Sequence, residues 1–505
     1  GANTTGTSNV GLGMSAGSAN TTGIQNVFIG KESGSTNTTA ANNVAVGFRT
    51  FFGSAAVTGG SNAVVGNYAL YVNTSGINNV GIGQEIYQAN TTGSNNVAVG
   101  KSALAANTTG AGNSAMGEVA LTTNTTGQEN VAIGANALRY NTTGDFNAAL
   151  GNKALQANTT ADYNTGIGYK ALEAHTTGAS NTAIGAQALM TNTTAANNIA
   201  VGISALKLNT TGASNVAVGA NALDANTTAA NNVAVGLAAL GANTTGTPNV
   251  AVGHRALDAN TTAGSNTAVG YDALGANTTA SNNTAVGTNA LLANTTGASN
   301  TSVGASALIA NTTGGSNTAV GQGAGATITT GSNNVCIGKG TDVNTGAAAS
   351  RLGLGVALSL TTADQIKIGI GSDFITNTFI SNATWSHSSD ERLKKNITND
   401  SLGLTFINKL RPVTYNWKPF EEQPEDIRGI ASNKKDDRKY HGMIAQEVKQ
   451  SLDDLGVNTY TGWTENEEGV QMISEQMFVY PLINAIKELS TALDAALARI
   501  TTLEG

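Results

Sequence analysis

The chain has a single cysteine, Cys336, among 505 residues. That excludes an intrachain disulfide and any CxxC-type zinc site, and Cys336 reads as a small apolar residue at a strand position normally held by Ala. Charged residues are scarce, 11% of the chain, and the net charge is −7, which argues against nucleic acid or an anionic membrane as the main partner. No apolar run is long enough for a transmembrane helix and none resembles a signal peptide, so membrane insertion is not expected. Regularly placed Asp residues are missing too, which removes calcium-binding nonapeptide repeats. His175 and His254 stand alone among scattered carboxylates, so neither a metal nor another cofactor is expected.

What the chain has instead is repetition. Twenty copies of a 17-residue unit, N-T-T-G-x-x-N-V-A-V-G-x-x-A-L-x-A, run from Asn3 to Gly338, interrupted once by a two-residue insertion at Phe51 and Phe52. A unit this short cannot enclose a core alone, so each copy must be one coil of an elongated stack. The seventh position is Asn and the eleventh is Gly in all twenty copies. Asn there suits an amide ladder from coil to coil, and Gly suits a corner with positive φ or a close backbone approach.

Between them lies a short alternating strand. All 19 charged residues up to Gly340 fall at repeat positions 5, 6, 12, 13 or 16; Lys101, Glu129, Asp145, Lys153, Arg255 and Asp258 are examples. Those positions are expected to face water, with the β-branched residues at 8 and 10 and the residues at 14 and 15 inside. The expectation is a β-solenoid with two short strands per coil, roughly 95 Å long at ~4.8 Å per coil. A disordered spacer would not need a fixed period, an invariant Asn or a charge-free face. Ice binding through the Thr-Thr pair is disfavoured, because adjacent residues of a strand point oppositely. Asn-Thr-Thr is formally a glycosylation sequon, but it reads more simply as an Asn-capped turn.

The period ends near residue 340. Residues 341–388 stay β-rich and Gly-punctuated, as a shaft end or tip. All three Trp and four of the five Pro lie beyond residue 340, so a physically different module follows. It contains Ser388-Ser389-Asp390-Glu391-Arg392-Leu393-Lys394-Lys395, Leu410-Arg411-Pro412-Val413-Thr414-Tyr415-Asn416-Trp417, His441-Gly442-Met443-Ile444-Ala445-Gln446-Glu447-Val448, and Tyr480-Pro481-Leu482-Ile483. A helix over 481–504 carries an a/d pattern at Leu482, Ile486, Leu489, Leu493, Ala496, Ile500 and Leu503. Its regularity points to packing between subunits, with core packing inside one subunit as the alternative.

The four ordered motifs resemble the intramolecular chaperone domain of phage tailspikes and tail fibres, the peptidase S74 family of endosialidase type. Repeat positions 7 to 14, with their N-V-A-V-G core, resemble the N-x-x-A-I-G head repeats of trimeric autotransporter adhesins. The first resemblance covers about Ser386 to Gly505. It implies a homotrimer whose C-terminal domain guides folding of the shaft and then cuts itself off between Ser388 and Ser389. Ser389 would be the nucleophile, Lys394 the general base and His441 a supporting residue. Such an amine must lose its proton, which desolvation or the nearby cations Arg392 and Lys395 would favour; Ser–Lys pairs are a known variant of the nucleophile–base arrangement. Without the other motifs, Ser389-Asp390 would read as a helix cap beside a solvated basic cluster.

The fold expected is mainly β: an elongated homotrimeric β-solenoid or β-roll shaft over 1–340, and a small α+β chaperone ending in a coiled-coil helix. The function expected is a surface-attachment fibre with a cell-surface glycan or protein receptor, on a virion tail or an extracellular surface. Its only enzymatic act would be the single self-cleavage. The alternative is a structural filament with a retained, non-cleaving tip. Because Gly1 stands already in phase with the repeat and without Met, an attachment region is expected to precede it.

Overall fold

The computed structural model describes residues 2–53, 56–378, 389–418, 422, 424–425, 439–466 and 469–504. The chain divides into two compact units, Gly1–His387 and Ser388–Gly505.

The first unit is a β-solenoid. Every repeat contributes one short strand containing positions 8 to 10, from β1 (Val10–Leu12) to β20 (Val335–Ile337). Each pairs in parallel with the same strand of the next coil: Val97 with Ser114, Ala98 with Ala115, Val99 with Met116. The step is one repeat throughout, lengthened only across the insertion, where Val44 meets Ala63. Among the described residues, the expected second strand of each coil does not form. Positions 12 to 17 return through turns in which positions 13 and 15 are left-handed, as at Asn136 (φ 61°) and Leu138 (φ 48°). Left-handed Leu is costly for a single residue, and here it aims the side chain inward: Leu138, Leu155 and Leu172 are fully buried.

The strand faces the opposite way from the expectation. Position 9 is buried and positions 8 and 10 are outside, so Ala132 lies in the core while Val131 and Ile133 are 40% and 37% exposed. Alternation shows which residues share a face, and room inside the coil decides which face it is. The interior is shared by the residues at 9, 14 and 15, and their sizes compensate. Where Phe28 takes position 9, position 15 is Gly34, whose missing side chain leaves space for the ring. Where Tyr87 takes position 15, position 9 is Gly81, and the Tyr87 hydroxyl donates to the Val80 carbonyl at 3.1 Å. Cys336 sits at position 9, buried, between Ala319 and Gly353 of the adjoining coils. The eleventh-position glycines have φ near 135°, and a Cβ on Gly100 would lie 2.6 Å from the Gly117 carbonyl oxygen. Both reasons for Gly therefore apply.

Two ladders of buried amides hold the coils together. At position 7, Asn96 Oδ1 accepts the backbone N–H of Asn113 at 2.9 Å, and Asn113 Nδ2 donates to the Gly127 carbonyl at 2.8 Å. The first of these bonds recurs at each step from Asn9 to Asn334. At position 1, Asn107 Nδ2 donates both to Asn90 Oδ1 and to the Gly110 carbonyl of its own turn, each at 3.0 Å. The side chain is thus a turn cap and a second ladder at once, and the ladder was not foreseen. With Asn107 fully buried and its amide engaged twice, the sequon is closed in the folded shaft. The second-position Thr adds a third tie, its hydroxyl donating to the next coil's carbonyl, as Thr108 does to Thr125 at 2.9 Å.

The position-1 ladder breaks where Ala56, His175 and Ile328 replace Asn. Immediately before each break one buried acceptor lacks a partner: Asn37 Oδ1, Asn158 Oδ1 and Asn311 Oδ1. His175 mends half of its break. Its Nδ1 accepts from Asn192 Nδ2 at 3.0 Å, and its Nε2 donates to the Gly178 carbonyl. This arrangement requires neutral imidazole with the proton on Nε2, and burial lowers the pKa to about 4.

Beyond Gly338 the sequence period stops, but the stacking does not. β22 (Leu352–Val356) continues the sheet in the same register, Val335 meeting Leu352, and Arg351 stands where the ladder Asn would be. Its N–H donates the last ladder bond, to Asn334 Oδ1, and its guanidinium donates to Asn344 Oδ1 at 2.7 Å and the Leu360 carbonyl at 2.6 Å. Arg has no acceptor to pass onward, so the ladder ends there. β24 (Gln365–Ile370) pairs in parallel with β22, and β25 (Asp373–Thr378) turns back antiparallel on β24.

The His175→Asn variant should complete the ladder and raise the thermal midpoint. The folded pKa lies below the ordinary value of about 6.5, so the stability that His175 contributes is complete above that pH. It is lost as pH falls toward about 4, up to about 3 kcal/mol. The gap between variant and parent should therefore widen from pH 8 to pH 4.5 in calorimetry; a gap independent of pH would contradict this account.

Candidate functional site

The second unit is built around Phe406. A one-turn helix, α1 (Leu404–Ile407), buries it beside Leu402 against Val448 and Leu452 of α2 (Ala445–Asp454) and against Phe478. The Phe406 and Phe478 rings stack at 6.2 Å, and Tyr460 meets both edge-on at 5.7 and 5.6 Å, a geometry that favours aromatic pairs.

This core brings the distant motifs together. β26 (Val413–Tyr415) pairs antiparallel with β27 (Tyr440–Gly442), setting Thr414 opposite His441. Arg411 forks onto Glu447, with Nε donating at 3.0 Å to one carboxylate oxygen while Nη2 reaches the other. That bidentate bond holds the Glu447 carboxyl below its ordinary pKa. The long helix α3 (Val479–Glu504) is anchored at its start, where Pro481 and Ala485 are buried. Asn484 Nδ2 donates to the Asp400 and Leu402 carbonyls at 3.1 Å, and Glu488 accepts the Leu404 N–H at 2.8 Å, capping α1. The rest of its apolar stripe is uncovered within the chain: Ile486 is 64% and Leu493 58% exposed.

Ser389 and Lys394 meet. A single 3-10 turn over Glu391–Leu393, capped by the Asp390 carboxylate accepting the Arg392 N–H at 2.9 Å, folds the segment back. Lys394 Nζ then donates to Ser389 Oγ at 2.8 Å. The turn puts a base within reach of a hydroxyl, the first geometric requirement for activating a serine. Both side chains are exposed in the single chain. Arg392 is occupied by Asp390, with Nη2 2.6 Å from Oδ2, which lowers the Asp390 pKa and raises that of Arg392. It is therefore a paired charge and not a free cation beside the lysine. Ser388 lies outside the described residues. His441 is exposed on β27, and among the described residues no hydrogen bond joins it to Ser389 or Lys394.

No group of side chains among the described residues could hold a metal ion, and no helix among them is long and apolar enough to cross a membrane. The roles of Asn484 and Glu488 escaped the sequence reading. Polar residues on one helix face carry no signal of a bond to a segment so far back in the chain.

Fold and site together define the class: a fibre-like β-solenoid protein with a small α+β domain that ends in a long, exposed helix. Residues 389–457 match the family described as chaperone of endosialidase, peptidase S74. No curated protein matches the chain.

Proposed function

We propose that the chain is the subunit of a homotrimeric surface-attachment fibre. Its C-terminal unit assembles three chains, sets the register of the shaft and then releases itself by one self-cleavage between Ser388 and Ser389. The observation that carries the reading is the uncovered a/d stripe of α3, a 26-residue helix that is held, among the described residues, by its first turns. A trimer, rather than a dimer, follows the family that the C-terminal unit matches.

The shaft supplies the reason for such a device. Its coils are so alike that chains slipped by one whole repeat would pack almost as well as aligned ones. An assembly unit at one end removes that ambiguity before the shaft forms. The shaft also has a face to cover: positions 8 and 10 form two parallel rows, mostly Val, Ile and Thr with a few Leu, Met, Ala and Ser, without a charge in twenty coils. Those rows span on the order of 10³ Å², more than a soluble monomer ordinarily exposes in one patch and comparable to one side of a stable interface. A partner must repeat every ~4.8 Å along the same length, and a second copy of the chain does so.

In the cleavage, Ser389 Oγ attacks the carbonyl carbon of Ser388 and its proton passes to Lys394 Nζ. The C–N bond breaks as the C–O ester forms, the departing nitrogen is protonated to become the new amino terminus, and water hydrolyses the ester. An exposed lysine is a poor base, because water stabilises its charged form. Covering the turn on assembly supplies the missing desolvation, so cleavage follows trimerisation. Exposure of the pair in the single chain favours one second reading, a retained tip that never cuts. Loss of the unit afterwards would make the shaft's persistence kinetic.

Ser389→Ala and Lys394→Ala should each leave one full-length band on a denaturing gel while still forming trimers; unchanged cleavage in Lys394→Ala removes it as the base. A gene truncated after residue 388 should yield aggregated shaft by light scattering, and a soluble, well-folded trimer from it would rule out the chaperone role. Fluorescently labelled fibre should decorate a subset of a panel of bacterial strains in flow cytometry; no decoration of any strain would count against attachment.

A further inference from the structure

Twelve Phe and Tyr residues lie between Gly1 and Gly340, and seven of them fall between Phe28 and Tyr87. Three of these seven, Phe28, Phe51 and Tyr87, are buried and fill the coil interior, with Phe28 and Phe51 stacking at 6.3 Å. The insertion at Phe51 and Phe52 is thereby packed from within. The other four, Phe48, Phe52, Tyr68 and Tyr71, occupy positions 12, 13 and 16 of two successive coils, on the water-facing side, and all stay half-buried. At those positions the shaft elsewhere carries mostly Ala, Ser, Asn, Gln, Lys and Asp. Nothing in the core requires aromatic rings there.

The four rings form one continuous surface. Phe48 meets Tyr68 edge-on at 5.3 Å, Tyr68 lies 5.9 Å from Tyr71, and Tyr71 stacks on Phe52 at 5.3 Å. Arg49 is held between them, its guanidinium carbon 5.4 Å from the Phe48 ring and 5.1 Å from the Phe52 ring. Its Nε donates to Glu32 at 2.6 Å. The arginine is fixed on both sides before any ligand arrives, so little ordering is needed to use its remaining N–H groups. Coils two to five carry two cations, Lys31 and Arg49, and two carboxylates, Glu32 and Glu85, so this stretch has no net charge.

We infer that this corner, built from Glu32, Phe48, Arg49, Phe52, Tyr68 and Tyr71, is a binding site for an uncharged polysaccharide. Aromatic faces take the C–H faces of pyranose rings, expelling water from both. The guanidinium donates to sugar hydroxyls and the Glu32 carboxylate accepts from them, while the charge balance gives an anionic glycan no advantage. A shallow surface on a rigid shaft binds weakly at one site, and copies carried together on one fibre multiply the effect. The inference rests on the attachment reading and supplies the place and ligand class that reading lacks.

The test uses the full chain and four uncharged hexasaccharides, maltohexaose, cellohexaose, chitohexaose and mannohexaose, with a sialic acid tetramer as the charged comparison. Titration calorimetry and saturation-transfer NMR should show saturable binding of at least one uncharged probe. Tyr71→Ala and, independently, Arg49→Gln should weaken it tenfold or more, while Tyr163→Ala, a distant exposed ring, should leave it unchanged. Thermal midpoints within a few degrees of the parent show that the variants fold. Binding of no hexasaccharide, preference for the charged probe, or undiminished binding in both variants overturns the site. Labelled Tyr71→Ala fibre that decorates cells like the parent also overturns it but leaves attachment standing. Hexasaccharide binding by a fibre that decorates no cells overturns attachment alone.

Discussion

A single coil buries a leucine and two alanines, far too little to offset the ordering of its own backbone, so each coil depends on the polar groups it shares with its neighbours. Inside the shaft those groups are beyond the reach of water, and an unpaired amide there costs more than a paired one gains. The two asparagine ladders meet that constraint: each side chain satisfies a backbone group of its own turn or of an adjoining coil and then presents the next acceptor. The compensation of Phe28 by Gly34 and of Tyr87 by Gly81 lets the large rings fit inside the coil, and the glycine corners let backbones approach closely enough for the ladders to close. Three of the faults follow the same rule, since the orphaned oxygens of Asn37, Asn158 and Asn311 sit at the three places where the ladder loses an asparagine, while Asn283 Nδ2 is unpaired within an unbroken stretch of the other ladder.

A ladder of identical rungs stabilises without specifying. Any coil satisfies any other, so the interactions that hold one chain together say nothing about how several chains align. That information must come from somewhere aperiodic, and the proposed source is the C-terminal unit, the largest aperiodic part of the chain. Its motifs are largely cohesive: Arg411 grips Glu447, β26 pairs with β27, and Asn484 with Glu488 ties α3 to the segment ahead of α1. The Ser389–Lys394 contact sits outside this cohesive part, on an exposed turn. On the proposed reading the pair acts once, after assembly, and would need no finished environment in the isolated chain.

The parts that were legible in the sequence share a cause. Invariant Asn and Gly within twenty copies, and charges confined to five positions, are signals repeated often enough to be read with only one chain. The Ser389 to Lys394 spacing was legible because one turn closes it. Other features were hidden because their causes are three-dimensional. The second strand is replaced by left-handed turns at residues such as Leu138, a conformation that no propensity assigns to leucine. The position-1 asparagine was readable as a turn cap, but its second bond goes to the neighbouring coil. His441 has no role that local spacing could reveal.

The sequence by itself determined the period, the ladder residue, the corner glycine, the water-facing positions and the boundary between two physically different regions. Each of these follows from residue type recurring at fixed intervals. Only the tertiary structure decided which side of the V-A-V strand is inside. A two-residue alternation is symmetric, and the choice rests on whether the volume between facing walls, already shared with Leu at position 15, has room for valine or only for alanine. It has room for alanine, and the valines are left outside for another surface to cover.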